Sequence, residues 1–140
     1  VKQLEELIKR IDIDLHNHLV SHDVLYLQFA FRWMNNLLMR EIPIKAVIRL
    51  WDTYLSEKNG FSHFHLYVTA AFLMRFKDEI LRRTDFHTVL MFLQNLPTAK
   101  WGDTEIDLIV AEAFQLSYLF ADAPSHLNTF VKTNDASTNK

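Results

Sequence analysis

The stretch RWMNNLLMREIPIKAVIRLWD, from Arg32 to Asp52, sets a guanidinium beside Trp33 and a carboxylate beside Trp51. Such an opposed pair is either a reactive site or a clamp between two helices. His18 and His22 stand four apart, a spacing that brings two imidazoles to one helix face and suits a metal ion, with Asp14 a turn earlier. His63 and His65 are two apart and diverge on a helix. Arg75, Lys77, Arg82 and Arg83 gather positive charge that a phosphate would suit. The ingredients of an Asp–His–Ser hydrolase are present too, but no G-x-S-x-G sets a nucleophile on a sharp turn, and there is no H-E-x-x-H.

Each candidate has a plainer reading. His18 and His22 fall at the end of a helix, where imidazolium complements the dipole, and no third strong ligand stands near them. Asp78 and Glu79 lie three or four residues ahead of Arg82 and Arg83, so the basic cluster reads as a solvated helix end.

Composition removes whole classes of chemistry. The chain has no cysteine, which excludes disulfides, thiolate metal sites and thiol nucleophiles. Its only glycines, Gly60 and Gly102, are too far apart to cradle a phosphate, so neither a P-loop nor a dinucleotide turn is present. A formal net charge of -2 speaks against a nucleic-acid footprint. With 49% hydrophobic residues in 140, one globular domain with a single core is expected. No apolar run is long enough to span a membrane; the longest, YVTAAFLM (Tyr67–Met74), suits a buried helix. VKQLEELIKR at the N-terminus is amphipathic, without a signal-peptide core, and a cytoplasmic setting is expected.

The elements that must position these residues are helices. Leu4, Leu7, Ile8, Ile11, Leu15 and Leu19 form a first stripe at helical spacing. Asp23 is predicted to cap a second helix through about Arg40, and Pro43 to open a third ending near Leu55. SEKNG (Ser56–Gly60) reads as a loop. A fourth helix is predicted from about Ser62 to Arg83, and a fifth capped by Asp85 with Phe86, Val89, Leu90 and Leu93 on one face. Thr104 and Asp107 fit a capping box for a sixth, running to about Phe120. No segment alternates with period two. The fold class is all-α.

In this arrangement position 42 lies midway between Arg32 and Asp52, and between the two tryptophans. An antiparallel hairpin would then hold both pairs at one height, roughly 15 Å from the turn at 1.5 Å per residue. A guanidinium on a mostly buried helix needs a partner, and a carboxylate at matching depth supplies it. The Arg32–Asp52 pair is therefore read as an interhelical clamp, not a reactive site. The plainer alternative pairs Asp52 with Arg49 on its own helix.

FRWMNNLLMREIP (Phe31–Pro43) and RLWDTYL (Arg49–Leu55) carry a resemblance to the C-terminal half of TBC-domain Rab GTPase-activating proteins. It continues through GFSHFHLYVTAAFL (Gly60–Leu73), FLQNLPT (Phe92–Thr98), AEAF (Ala111–Phe114) and LFADAPSHL (Leu119–Leu127), and is nearest to the Golgi-type subgroup. The resemblance implies a multi-helix C-terminal subdomain of the TBC fold over residues 1–127, with 128–140 a polar tail predicted to be disordered. It implies as partners a GTP-bound Rab-family small GTPase and the N-terminal half of the domain, and a peripheral position at Golgi membranes. It also implies a dual-finger mechanism, in which an arginine neutralises phosphoryl charge and a glutamine supplied in trans orients the attacking water.

The family's fingers come from an I-x-x-D-x-x-R motif and a Y-x-Q-G motif in its N-terminal half. Here Ile11 and Asp14 match the first two positions of the former, but Asn17 stands where the arginine should be. Tyr26, Leu27 and Gln28 match Y-x-Q, but Phe29 follows in place of glycine. Gln28 lies within an apolar helix and Arg32 is flanked by Phe31 and Trp33, so neither reads as a finger. No catalytic, cofactor-binding or metal-ligating residue is assigned, and no cofactor is expected. The chain is expected to serve a GTPase activator without activity alone. A non-catalytic helical interaction module is the alternative, and a helical metal enzyme built on His18 and His22 a third. A half-domain should also show an apolar patch, expected along Leu4, Leu7, Ile11 and the aromatic start of the second helix.

Overall fold

In the computed structural model, which describes residues 1–56 and 61–120, the first apolar stripe is broken by Asp12. Helices α1 (Lys2–Ile11) and α2 (Ile13–Ser21) meet there. Asp12 takes extended backbone, and its carboxylate accepts the Leu15 amide at 3.1 Å, which caps α2. Lys77 pairs with the same carboxylate. Burial raises the Asp12 pKa, but Lys77 and the Leu15 amide outweigh it and leave the group below its ordinary value. The stripe is right in its residues, since Leu4, Leu7, Ile8, Leu15 and Leu19 are all buried. It is wrong in being one helix.

Asp23 is not the cap of the next helix. It sits at φ 60° just past α2, where Val24 N donates to Leu19 O at 2.9 Å, a left-handed stop of Schellman type. Helix α3 (Tyr26–Asn35) begins instead at Leu25, whose amide is capped by the Gln28 side chain at 2.9 Å. It also ends earlier than the pattern suggests. Leu37 and Leu38 stand at φ 53° and 62°, and Leu38 N donates to Trp33 O at 3.0 Å. Left-handed leucine costs about 1–2 kcal/mol per residue, and burial of Leu38 at 2% exposure helps offset it.

Helix α4 (Ile44–Ser56) follows Pro43 as predicted. The long fourth helix divides into α5 (Phe61–Met74) and α6 (Lys77–Leu81). Helix α7 (Phe86–Gln94) is capped by Asp85, which accepts the Thr88 amide at 3.1 Å; Val89 and Leu93 are buried, while Phe86 is exposed. Helix α8 (Asp103–Phe120) is capped not by Thr104 and Asp107 but by Glu105, which reaches back to the Gly102 amide at 2.9 Å. The described residues contain no strand, and the fold is all-α. The predicted tail 128–140 lies outside the described residues.

Helix α5 is the axis of the core. Its Val68 and Ala70–Leu73 are fully enclosed, because α8, α1, α3 and α4 all lie against it. Trp33 of α3 and Phe72 of α5 meet edge to face at 5.0 Å between centroids, a favoured aromatic geometry. Two histidines serve this core as partners of buried phenols: His16 Nδ1 lies 3.0 Å from Tyr26 Oη, and His65 Nδ1 lies 2.6 Å from Tyr54 Oη.

Burial holds the His65 imidazole below its ordinary value, against the opposing effect of the Trp33 and Met34 carbonyls. A depressed histidine keeps the folded state neutral while the unfolded chain takes up the proton first. Stability is therefore expected to hold above the ordinary histidine pKa of 6.5 and to fall as the pH drops through it. Urea midpoints between pH 8 and 5 measure this, and His65→Asn should remove this residue's share of the slope.

Candidate functional site

The polar residues of α3 converge on the end of α7 and on the segment between α3 and α4. Arg32 Nε lies 2.5 Å from Glu41 Oε1, and Arg32 Nη2 lies 3.0 Å from Glu41 Oε2, a two-pronged ion pair. The same Nη2 reaches Gln94 O at 3.4 Å, and Gln94 Nε2 donates to Gln28 O at 3.2 Å. Thr98 Oγ1 donates to Glu41 O. The Glu41 side chain is 4% exposed and that of Arg32 38%, so the carboxylate is the buried member. Hydrogen bonding to Glu41 holds the Arg32 pKa above its ordinary value, keeping the cation in place.

The clamp from Arg32 is therefore real, but its partner is not Asp52. The hairpin behind that expectation does not form: α3 lies against α5 and α7, and α4 against α5 and α8. The left-handed turn at Leu37 and Leu38 returns the chain so that Glu41 reaches Arg32. Asp52 is exposed and has no ion-pair partner among the described residues. Nor does it pair with Arg49, which binds Asp107 of α8 at 2.9 Å. The tryptophans are not equivalent either: Trp33 is enclosed, and Trp51 is 40% exposed. Asp52→Asn is accordingly expected to move the melting temperature of the chain by no more than about 2 °C, as surface changes do.

The remaining candidates are engaged locally. Gln28 accepts the Leu25 amide, so the glutamine of Y-x-Q ties down its own helix start. Tyr26 is buried on His16, and burial together with the charge of Glu5 pushes its phenol up. Asp14 and Asn17 face solvent. His18 Nε2 meets Arg83 O at 2.7 Å, and His22 Nδ1 meets His18 O at 2.7 Å. These imidazoles hold the ends of α2 and α6. Among the described residues no three His, Asp or Glu side chains are grouped to hold a metal ion. His63 is exposed while His65 is buried, the divergence their spacing predicts. In the basic cluster Arg82 pairs with Glu79 at 2.8 Å, and Arg83 pairs with Glu79 at 3.3 Å and lies 4.0 Å from the Phe92 ring centroid.

The apolar surface matches the expectation at the start of the second predicted helix and departs from it along the first. Leu4 and Leu7 are buried because α1 packs on α2 and α5. Exposed apolar side chains lie on α3 as expected, at Leu27 (61%) and Phe31 (54%), and, beyond the expectation, on α4 at Ile44 (69%), Ile48 (57%), Trp51 and Leu55 (85%) and on α8 at Phe114, Tyr118 and Leu119. Glu41 was legible in principle, being the only acidic residue between Asp23 and Asp52.

Polar groups tied to one another beside exposed apolar rows define a helical scaffold with surfaces for association. The chain belongs to the Rab-GTPase-TBC domain family, whose profile matches residues 1–81. It is 65% identical over 126 residues to TBC1 domain family member 22A of Homo sapiens, covering 90% of this chain and 24% of that protein. It is 48% identical over 128 residues to GTPase-activating protein gyp1 of Schizosaccharomyces pombe, covering 91% and 25%. The crystal structure of the Ypt/Rab-GAP domain of Gyp1p matches with a TM-score of 0.80 at 50% identity, over 85% of this chain and 37% of that one. The chain thus spans about a quarter of the length of the curated relatives it matches.

Proposed function

We propose that residues 1–127 serve as the C-terminal half of a Rab GTPase-activating domain and that 128–140 form a polar tail beside it. The half supports the catalytic part of the domain and contributes some of the surface that meets a GTP-bound Rab-family GTPase. The arginine and glutamine fingers come from the N-terminal half, not from these 140 residues. The observation that carries this reading is the engagement of Gln28 and Arg32, which cap a helix and bind Glu41, in a chain whose relatives are named as GTPase-activating proteins. No helix among the described residues is long and apolar enough to cross a membrane, which fits action from the cytoplasm at the periphery of Golgi membranes, with no role for nucleic acid.

Single-turnover phosphate release from a panel of GTP-loaded Rab proteins tests it. The chain alone should leave the rate unchanged, and the chain joined to the N-terminal half should raise it. The exposed rows on α3 and α4 favour one other reading, a non-catalytic interaction module, whose signature is Rab binding without stimulation in either arm.

A further inference from the structure

Helix α4 carries its exposed apolar residues at a spacing of four, three and four: Ile44, Ile48, Trp51 and Leu55. That spacing draws one straight row along a helix, the form that receives a second helix. At its C-terminal end the row opens into a hollow of about 370 Å³ lined by Leu37, Trp51, Tyr54 and Leu55. A hollow of that size takes one or two large apolar side chains as a knob. Lys45 and Asp52 flank the row, and neither is in an ion pair among the described residues.

We infer that the α4 row is the permanent seam on which a helix from the remainder of the Rab-GAP domain packs, rather than a face offered to the GTPase. The inference rests on the proposed half-domain reading and names its surface. Two observations select the occupant. The Gyp1p domain matches this chain over only 37% of its own length, so a larger body of that domain has no counterpart here and must lie against the matched part somewhere. The row is also apolar throughout. Permanent interfaces resemble a core cut in two, whereas surfaces that a partner must leave are more polar. The α3 row is shorter, with Leu27 and Phe31 as its two exposed apolar side chains against four over three turns on α4, so it offers less apolar area to a permanent neighbour. The incoming helix is expected to set an acidic residue near Lys45 and a basic one near Asp52, with an aromatic or leucine side chain in the hollow.

The test co-produces this chain with the part of the TBC1 domain family member 22A Rab-GAP domain that lies outside the matched stretch. Dissociation of the complex is then followed on dilution. The unaltered chain should form a stable complex. Ile48→Ser with Leu55→Ser should weaken it on the order of a hundred-fold, since each buried aliphatic side chain is worth a factor of ten or more. Leu27→Ser with Phe31→Ser should change it by less than about three-fold, and Asp52→Asn should weaken it several-fold. Both double variants alter exposed positions, and unchanged melting of the chain alone confirms that each is folded. No complex with the unaltered chain, or one indifferent to the α4 changes, overturns the inference. So does loss, through the α4 changes alone, of self-association or of binding to a GTP-loaded Rab while the domain complex persists. Hydrolysis is not read here, so a seam that forms through α4 in a complex inactive on every Rab would stand while the activating function fell.

Discussion

The isolated chain is expected to leave the GTP hydrolysis rate of every Rab protein at its intrinsic value, even at high concentration. An arginine finger is worth about a thousand-fold to a hundred-thousand-fold in GTPase rate. To act, a guanidinium must project from the surface and arrive uncommitted at the phosphate. Arg32 has both prongs on Glu41 and a further contact to Gln94 O, and withdrawing it would strand a carboxylate that is 4% exposed. The side-chain oxygen of Gln28 is likewise held by its own helix start, and no glycine follows to let the backbone approach a nucleotide. Binding without these groups positions little chemistry. Phosphate release under single turnover should therefore be flat with the chain alone and rise steeply once the N-terminal half is joined or mixed in. Stimulation by the chain alone that Gln28→Ala or Arg32→Ala abolishes would reverse the assignment of both residues to structure.

Helical periodicity carried the fold class and most of the core, because it depends only on which residues are apolar and how far apart they stand. The enclosure of α5 and the burial of Leu15 and Leu19 follow from it directly, and the residue types Pro43 and Asp85 mark the starts of α4 and α7. Helix ends did not, for a shared physical reason. Helices α2 and α3 stop in left-handed residues that are Asp23, Leu37 and Leu38 instead of glycine, so the usual punctuation is missing. Asp12 interrupts a continuous stripe because it gains an amide and an ammonium partner at once, which periodicity does not register. Those unmarked ends also hid the site. With α3 predicted through Arg40, Glu41 falls in a tight hairpin turn and Asp52 is the carboxylate at the matching height. The membership of the family was legible in long ordered motifs, whereas the pairing within them depended on two backbone angles.

Arg32→Met is expected to destabilise the chain by about 3 kcal/mol, toward the low end for breaking a buried ion pair because the Arg32 side chain keeps 38% exposure. Glu41→Gln should cost less, roughly 1–2 kcal/mol, since a guanidinium freed from Glu41 can turn to water while a stranded carboxylate cannot. At about 4 °C per kcal/mol for a domain of this size, the two changes should separate clearly in a thermal melt. The double variant should cost less than the sum of the two, because with both charges gone no buried charge is left unpaired and only a neutral amide lacks a partner. A coupling of roughly 1–2 kcal/mol is expected in the cycle, against additivity within about 0.5 kcal/mol for Arg32 combined with Asp52→Asn. The second cycle matters as much as the first. Matching sequence distance from Ile42 favours Asp52, whereas the fold places Glu41 against Arg32. A coupling found with Asp52 and absent with Glu41 would restore the hairpin and remove the turn at Leu37 and Leu38 from the account of this fold.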